Sequence, residues 1–422
     1  MSLRDNIVCD MLQERHRQHK SSYNYTPLVA RLVETCYQAR ITRLKELATL
    51  LGISTSYTHY LIKKLKRDAF FKIWASPHYD NIGLRVMRVF LQVKSNTYAQ
   101  ILLESLSRHD FILYIARGYS NLGKGVYCEF LVPNDKERLL LSFLESLANG
   151  GLISAYDVCQ VIAFGNIVMG FEWYDFSTNT WLFNWQALLE NVLSKADLDK
   201  HLLITGLASS QTSRTPRFDF YDLCILHYLE QDVFSPLTSL ALKLGTSPQN
   251  LSYHFRNHVL KNDLIKVTRP KWYPFLIEES SYYILNAEFE NDKALNSFLE
   301  SLNRKPIAYS WSYCKREAGH SVMIAGVLPY DELFNFIDFL DLLREHGILK
   351  RYDYYLLDIH RSYGKLLPYH CYDEAFGWRC DFEPYLKDIL RMAKKVQEGR
   401  ASSATRFVAK LASAADNKIE SV

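Results

Sequence analysis

The sequence contains two copies of one pattern, and this duplication limits the fold more than any other feature. The segment VPNDKERLLLSFLESLANGGLISAYD, residues 132–157, aligns without a gap on LPYDELFNFIDFLDLLREHGILKRYD, residues 328–353, at a constant spacing of 196 residues. Upstream, the segment that begins at Leu44 aligns on the one that begins at Leu237 at a spacing of 193 to 194 residues, and downstream Trp181 aligns on Trp378. Three segments in the same order indicate tandem duplication of a unit of about 195 residues, far longer than the roughly 20 to 50 residues of a solenoid repeat.

Length and composition favour a multidomain globular chain. At 422 residues the chain is too long for one ordinary core, and its 48% hydrophobic and 14% aromatic content suffices to pack several. No run approaches the roughly 18 consecutive apolar residues of a membrane span, and the start, MSLRDNIVCD, lacks the apolar region of a signal peptide. We therefore expect a cytoplasmic protein. The net charge of +4 is small, so any contact with nucleic acid has to be local.

The cysteines predict neither a disulfide framework nor a metal site. They are scattered without a CxxC pair, mostly within apolar runs where a free thiol packs as a small hydrophobe. They are Cys9, Cys36, Cys128, Cys159, Cys224, Cys314, Cys371 and Cys380. The nearest approach to a ligand cluster is His370 with Cys371 and Cys380, and its spacing matches no standard zinc pattern.

Each copy begins with the pattern of three short helices. In the first copy, Thr26 is a suitable N-cap for a helix over residues 27–38, and a second helix over residues 44–51 ends at Gly52. A third helix begins at Ser54 and buries an apolar stripe that includes Leu61 and Leu65. The second copy repeats this arrangement, with Gly245 at the turn and a third helix over residues 247–258.

Two short helices, a glycine turn and a polar third helix are typical of a helix-turn-helix that places its third helix in the major groove of DNA. Amide, hydroxyl and guanidinium groups can read base edges, and lysines can neutralise phosphates. The residues predicted to face DNA are Thr55, Ser56, Tyr57, His59, Tyr60, Lys63, Lys64, Arg67, Gln249, Asn250, Ser252, Tyr253, Arg256 and Asn257. The alternative is an ordinary solvated helix face. Residues 26–75 carry nine Lys and Arg against three Asp and Glu, and residues 218–274 carry six against five, so the first copy should contribute more electrostatic affinity.

Alternating strands and helices follow each helical segment. The first copy predicts strands near residues 85–93, 111–118, 125–132 and 154–163, with helices over 98–107 and 136–148. The second predicts strands near 282–289, 308–314, 321–328 and 351–359, with helices over 292–302 and 331–345. The order β-α-β-β-α-β is that of a ferredoxin-like module, whose sheet carries helices on one face and leaves the other free for a second sheet or a ligand. The glycine-rich GYSNLGKG, residues 118–125, is interpreted as a hairpin turn.

These residues together carry a resemblance. The segments LKELATLLGIS, LIKKL and PHYDNIGL, followed by a β-α-β-β-α-β domain, resemble the leucine-responsive regulatory protein family (Lrp/AsnC, feast/famine regulators). The second half, with LALKLGTS, is similar but less close, and two copies in one chain resemble archaeal tandem versions. The resemblance implies sequence-specific binding of double-stranded DNA through the third helices, association of the α/β domains within the chain or in a homodimer, and a small-molecule effector. No effector-binding motif can be matched residue by residue.

The predicted fold class is α+β, with two tandem copies of a winged helix-turn-helix plus a ferredoxin-like domain. The aromatic residues Trp181, Phe183, Trp185, Trp378 and Phe382 are expected to fasten two straps onto the α/β domains. The predicted divisions are an N-terminal extension (1–25), winged helix 1 (26–80), α/β domain 1 (81–165), a strap and helix (166–208), a linker (209–217), winged helix 2 (218–276), α/β domain 2 (277–362), a second strap and helix (363–397) and a mobile tail (398–422).

Enzyme motifs are missing from the sequence. It contains no P-loop, no GxGxxG after a strand, no HExxH and no GxSxG, so we predict a transcription regulator without a cofactor or catalytic residues, associated with the nucleoid, rather than an enzyme. Two alternatives stay open. Sirohaem decarboxylases resemble this same pair of domains and act on a tetrapyrrole, and the helical segments could instead bind proteins of the transcription machinery.

Overall fold

The structure, a computed structural model, describes residues 18–69, 71–121, 123–196, 217–316 and 319–398. The predicted residues 1–17 of the N-terminal extension, 209–216 of the linker and 399–422 of the tail lie outside these ranges. Residue 122 in the predicted hairpin turn also lies outside them, although Ser120 pairs with Gly123 on either side of it. Within the described ranges, no helix is both long and apolar enough to cross a bilayer.

Three helices open each half at equivalent positions. In the first half they are α1 (Pro27–Gln38), α2 (Leu44–Leu51) and α3 (Thr55–Asp68). The side chains of Thr26 and Ser54 cap α1 and α3, and Gly52 ends α2 in the left-handed conformation that favours glycine. In the second half they are α7 (Phe220–Gln231), α8 (Leu237–Leu244) and α9 (Pro248–His254), after the three intervening helices of the first half.

The third helix of the second half departs from the prediction. An α-helix over residues 247–258 was expected, but α9 ends at His254 and continues as a π-helical segment, Phe255–Leu260. The second copy has one additional residue in this region. The two copies are spaced by 193 residues at Gly52 and Gly245 but by 194 at Lys72 and Lys266. A wider π turn accommodates an extra residue without ending the helix.

The strands that follow the helices pair with each other across the two halves. Strand β2 (Lys72–Pro77) runs antiparallel to β9 (Ile265–Lys271), with Trp74 opposite Arg269. The sequence predicts a winged helix in each copy, with an extended stretch after its third helix. In the described residues the two halves instead share one two-stranded ribbon.

The β-α-β-β-α-β order appears in both halves. The first half contains β3 (Leu84–Val93), α4 (Asn96–Leu106), β4 (Ile112–Ser120), β5 (Gly123–Pro133), α5 (Glu137–Asn149) and β6 (Ile153–Asn166). The second contains β10 (Ser280–Phe289), α10 (Asp292–Leu302), β11 (Ala308–Arg316), β12 (Gly319–Pro329), α11 (Leu333–Glu345) and β13 (Leu349–Gly364). The structure is therefore mixed α/β, with elements in the predicted order.

The two four-stranded sheets close into one eight-stranded barrel. Strand β6 pairs with β11 and strand β4 pairs with β13, so both joints connect one half to the other. All neighbouring strands are antiparallel, and closure leaves neither sheet with an open edge. The sheet face that the ferredoxin-like pattern leaves uncovered thus faces the barrel interior. The closed barrel was not predicted from the sequence.

Helices cover the outside of the barrel. Leu102 and Leu106 of α4 and Leu140 and Leu144 of α5 are completely buried, in keeping with one apolar stripe per helix. The second half buries α10 and α11 in the same way. A separate, smaller group of buried side chains fills the barrel itself, and it includes Phe90, Tyr127 and Met323.

Two aromatic straps cross from one half to the other. Strands β7 (Tyr174–Asp175) and β8 (Thr180–Leu182) lead into α6 (Trp185–Ala196), and β1 (Gln18–Lys20) adds to this small sheet. In the second half, β14 (Tyr372–Asp373) and β15 (Gly377–Trp378) precede a helix over residues 383–398. The indole of Trp181 donates to the Pro274 carbonyl, and that of Trp378 donates to the Ile82 carbonyl. The five strap aromatics are buried, as predicted, and each strap binds the opposite half.

Candidate functional site

The third-helix residues predicted to contact DNA lie largely at the surface. On α3 all are exposed except Lys64, which is half-buried. In the second half, Gln249, Tyr253 and Arg256 are exposed. The half-buried residues there are Asn250, Ser252 and Asn257. The structure thus leaves both polar faces open.

A cationic cleft adjoins α3. It has a volume of about 400 Å³ and lies between α3 and the turn after α7. Arg43, Lys63 and Lys66 line it together with His59, and its lining contains no carboxylate. Lys66 forms an ion pair with Asp232 of the second half, and Arg67 pairs with its neighbour Asp68. The positive surface of the first half is therefore partly neutralised within the chain.

A second set of polar side chains lies at one end of the barrel, next to the β2–β9 ribbon. We call it the tyrosine–arginine cluster. Each of its side chains is partly exposed to solvent, although most of the residues around it are buried. Its members are Arg88, Tyr114, Arg269, Tyr273, Tyr282 and Tyr309. Tyr114, Tyr282 and Tyr309 pack against the apolar residues that fill the barrel, and the rings of Tyr273 and Tyr282 are 6.1 Å apart.

Arg269 is the member of this cluster whose guanidinium has the fewest partners. Its central carbon lies 4.6 Å from the centre of the Trp74 ring and 5.9 Å from that of Phe164. Its buried Nε makes no hydrogen bond, and no ion pair joins Arg269 to a carboxylate of the described residues. Burial lowers the pKa of Arg269 from its usual high value. A buried donor without an acceptor is costly, so this position favours an anionic partner.

Arg88, by contrast, forms an ion pair within the protein, although its buried Nε, like that of Arg269, is not in hydrogen-bond geometry with an acceptor. Its Nε lies 2.9 Å from Glu129 Oε1, and its Nη1 donates to Ser312 Oγ on the opposite half. The hydroxyl of Tyr127 also donates to Glu129, at 2.8 Å. Arg88 therefore helps to fix the barrel wall beside the cluster.

The tyrosines of the cluster remain neutral hydrogen-bond donors. Burial raises the pKa of Tyr114 to about 12. Burial, followed by the neighbouring phenols, raises the pKa of Tyr282 and Tyr309 further above the ordinary value. The charges of Arg88 and Arg269 act on Tyr309 in the opposite direction, which indicates that both cations lie near this hydroxyl. The cluster thus combines phenolic donors with an uncompensated cation.

The opposite end of the barrel has a different character. A pocket of about 280 Å³ lies there, lined by Asp157, Arg316 and Tyr355 among others. Arg316 pairs with Asp157, which also accepts a hydrogen bond of 2.9 Å from Tyr355. Arg351 pairs with Glu288 at 2.5 Å. Carboxylates of the pocket balance the charges of its arginines, so it offers less to an anion, although the buried Nη2 of Arg316 makes no hydrogen bond.

Two groups of described residues bring three or more potential metal ligands together. One contains Asp110, His370 and Cys371, with His370 Nε2 3.5 Å from Asp110. Cys380, which the sequence placed near this pair, is not part of the group. The second contains two aspartates and two histidines of the second half, Asp219, Asp222, His254 and His258.

Comparison with known proteins adds a fold-level similarity. No protein-family model matches the sequence, and no curated protein matches it. The solved structure of the siroheme decarboxylase NirDL is similar over 88% of this chain and 99% of that chain, with 10% identity and a TM-score of 0.45. An AsnC family transcriptional regulator from Agrobacterium tumefaciens is similar over 33% of this chain and 91% of its own, with 13% identity and a TM-score of 0.27. For E. coli AsnC the shares are 33% and 94%, with 16% identity and a TM-score of 0.23.

This comparison corrects two predictions. The prediction that the chain is not an enzyme is wrong, because the two structures that match 88% of the chain are those of an enzyme. The resemblance to Lrp/AsnC regulators extends over a third of the chain only.

Sequence reasoning missed the tyrosine–arginine cluster. Its members range from Arg88 to Tyr309, and barrel closure, not a local motif, brings them together. The available signal was indirect. Tyrosines alternate with apolar residues in segments predicted to be strands, which indicates that one sheet face is not purely apolar.

Proposed function

We propose that the tyrosine–arginine cluster binds and transforms a planar, carboxylate-bearing small molecule of the tetrapyrrole class. The observation that carries this proposal is Arg269, a buried guanidinium without a carboxylate partner, stacked against Trp74 and facing phenolic donors. Arginine binds carboxylates through paired donors, and aromatic faces accept planar rings. The similar enzyme NirDL is described as a siroheme decarboxylase, and one of its structures contains an iron-uroporphyrin III analogue.

The chemistry of a decarboxylation fits this set of groups. Loss of CO2 from a carboxylate side chain leaves an electron pair on carbon, and one proton has to replace the departing group. Tyr114, Tyr282 and Tyr309 keep their protons near neutral pH because burial raises their pKa, so they can hold a proton close to the substrate. Arg269 would orient a carboxylate that is retained.

Binding of iron-uroporphyrin III tests the proposal. Titration of the protein, followed by the shift of the porphyrin absorption band, is expected to show saturable binding. Arg269→Gln should weaken it about ten- to a hundredfold, because a charge-assisted hydrogen bond contributes roughly 1.5 to 3 kcal/mol. Arg351→Gln, at the opposite end of the barrel, is the matched control and should bind as the wild type does. Equal affinity of all three proteins, or no saturable binding, would contradict the proposal.

A second function is favoured by the exposed third helices. The polar faces of α3 and α9 are open to solvent, and the cleft beside α3 is lined by cations without a carboxylate. These features support binding of double-stranded DNA by both helices, as the partial resemblance to Lrp/AsnC regulators implies. A small molecule held at the barrel would then be close to the ribbon that connects the two helical segments.

A further inference from the structure

The N-cap and first turn of α7, the end of α9 and the π-helical segment after it bring four potential metal ligands together. Asp222 Oδ1 lies 3.0 Å from His254 Nδ1, and Asp222 Oδ2 lies 3.0 Å from His258 Nδ1. Asp219 Oδ2 lies 3.5 Å from the first of these nitrogens and 4.0 Å from the second. One atom from each residue falls within 4.8 Å of all the others.

The four ligand atoms, one from each residue and all within 4.8 Å of one another, are close enough to surround one ion. Bonds of about 2.0 to 2.1 Å to zinc place tetrahedral ligand atoms roughly 3.4 Å apart. Two imidazoles and two carboxylates form a donor set of intermediate softness that suits a divalent transition metal such as Zn²⁺ better than Mg²⁺ or Ca²⁺. The side chains of Asp219 and His258 are 35% and 30% exposed, so an ion can reach the cluster from solvent.

The duplication provides an internal comparison. At the fixed spacing of 193 residues, Asp219 and Asp222 correspond to Thr26 and Val29. His254 corresponds to Leu61 at this spacing, whereas His258 lies in the segment Phe255–Leu260 that absorbs the extra residue, so that Leu65 corresponds to Val259. Val29 and Leu61 are buried and belong to the apolar core of the first half. At these two positions the second half carries the polar residues Asp222 and His254, which cost stability in buried surroundings unless they are satisfied.

Hydrogen bonds join three of the four side chains, because Asp222 Oδ1 is paired with His254 Nδ1 and Asp222 Oδ2 with His258 Nδ1, each at 3.0 Å. Asp219 Oδ1 caps α7 by accepting from the backbone of Tyr221 and Asp222, which leaves its Oδ2 directed at the histidines. The Asp222 side chain is completely buried beside the negative charge of Asp219. A cation among the four groups would balance the two neighbouring carboxylates.

The helix geometry changes at the same place. The π-helical segment Phe255–Leu260 contains His258 and follows directly after His254. The extra residue of the second copy is therefore absorbed where the two histidines face the aspartates. Single π turns of this kind occur frequently at functional sites.

We infer that Asp219, Asp222, His254 and His258 form a site for one divalent transition metal, of the Zn²⁺ type, that ties the third helix of the second half to its first helix. This inference does not depend on the proposed reaction at the barrel. Because the ligands come from two helices, metal binding should stabilise the folded chain.

Zinc binding by the full chain, after removal of metal with a chelator, tests this site. The wild type is expected to bind one Zn²⁺ in competition with a chromogenic chelator, to melt at a higher temperature with Zn²⁺, and to give the visible absorption of tetrahedral Co²⁺ when cobalt is used. The double variant His254→Leu and His258→Leu should lose all three responses. It should still fold, because the first half has the buried Leu61 at the position of His254, and because the side chain of His258 is 30% exposed.

Two further variants make the result decisive. Asp219→Asn preserves the N-cap and removes one anionic ligand, so its zinc affinity should fall at least about tenfold. His346→Ala removes an exposed histidine outside the cluster and should bind Zn²⁺ as the wild type does. Wild-type protein without stoichiometric zinc or cobalt binding would overturn the inference, as would zinc binding of equal strength in the Asp219→Asn or dileucine variant.

Discussion

Glu230 is a buried carboxyl group at the junction of the two halves. It lies on α7, accepts a hydrogen bond of 2.9 Å from Tyr79 of the first half, and accepts another of 2.7 Å from the backbone of Leu367. Burial raises its pKa to about 8. The folded chain therefore carries a neutral Glu230 near neutral pH, whereas the unfolded chain ionises this group near its ordinary pKa of 4.5.

This difference makes stability depend on pH. Because the folded pKa is raised, the unfolded chain binds fewer protons than the folded chain between pH 4.5 and about 8. The contribution of Glu230 to the free energy of unfolding is therefore complete below this range of pH and is lost as the pH rises through it. Glu230→Gln, a neutral isostere, should remove the loss. At about pH 9 the variant is expected to be more stable than the wild type by up to roughly 5 kcal/mol, which is the difference between the two pKa values at about 1.4 kcal/mol per pKa unit, and at about pH 4 the difference should vanish. Urea unfolding at the two pH values measures this, and an unchanged difference would contradict the assignment.

Some residues of the candidate sites could be predicted from the sequence, and others could not. Exposed side chains such as Lys63 and Arg256 followed from helical periodicity, which depends only on near neighbours. Arg269 did not, because its surroundings consist of Trp74 and Phe164, which are distant in sequence. His254 could have been found by comparing the two copies, since the first copy has Leu61 at that position.

At the scale of elements, local patterns predicted most boundaries closely. Helix α10 spans Asp292–Leu302, as the sequence indicates. Strand β13 extends to Gly364, beyond the predicted end at Ile359, because Ser362 to Gly364 pair with β4 of the other half. The length of this strand is determined by a long-range partner, which local periodicity does not report.

The two third helices should differ in how they act on DNA. Lys63→Ala on α3 is expected to weaken binding to all sequences alike, because a lysine near phosphates supplies charge without base recognition. Asn250→Ala or Arg256→Ala on the second half should instead reduce selectivity at one base position, by roughly 1 to 3 kcal/mol. Affinities for a panel of mutated sites at several salt concentrations measure both effects. Uniform loss for all three variants would contradict base contact by the second half, and salt-independent affinity would exclude phosphate contact.

At the scale of the whole molecule, the duplication produces one body from two copies. Both barrel joints, the β2–β9 ribbon and both tryptophan straps connect one half to the other. The sequence indicated that the α/β domains would associate, and the closed barrel is the form that this association takes. Its register was not predictable because strand pairing between copies depends on contacts about 150 to 250 residues apart, as in Arg316 with Asp157 and Tyr355 with Ser120.

Barrel closure also makes the two ends of its interior different. One end is self-compensated by Arg316 and Asp157, and the other exposes Arg269 to a cluster of phenols. A duplicated chain can evolve such a difference because its two halves mutate independently, whereas a homodimer repeats every change twice. The same freedom accounts for the histidines that only the second half carries.

The most direct test of this account is an electron-density map of the protein crystallised with iron-uroporphyrin III. The account predicts density for the macrocycle at the ribbon end of the barrel, with one of its carboxylates within hydrogen-bond distance of Arg269 and its ring near Trp74. Density in the Arg316 pocket, or on the outer surface with Arg269 still unpartnered, would contradict it.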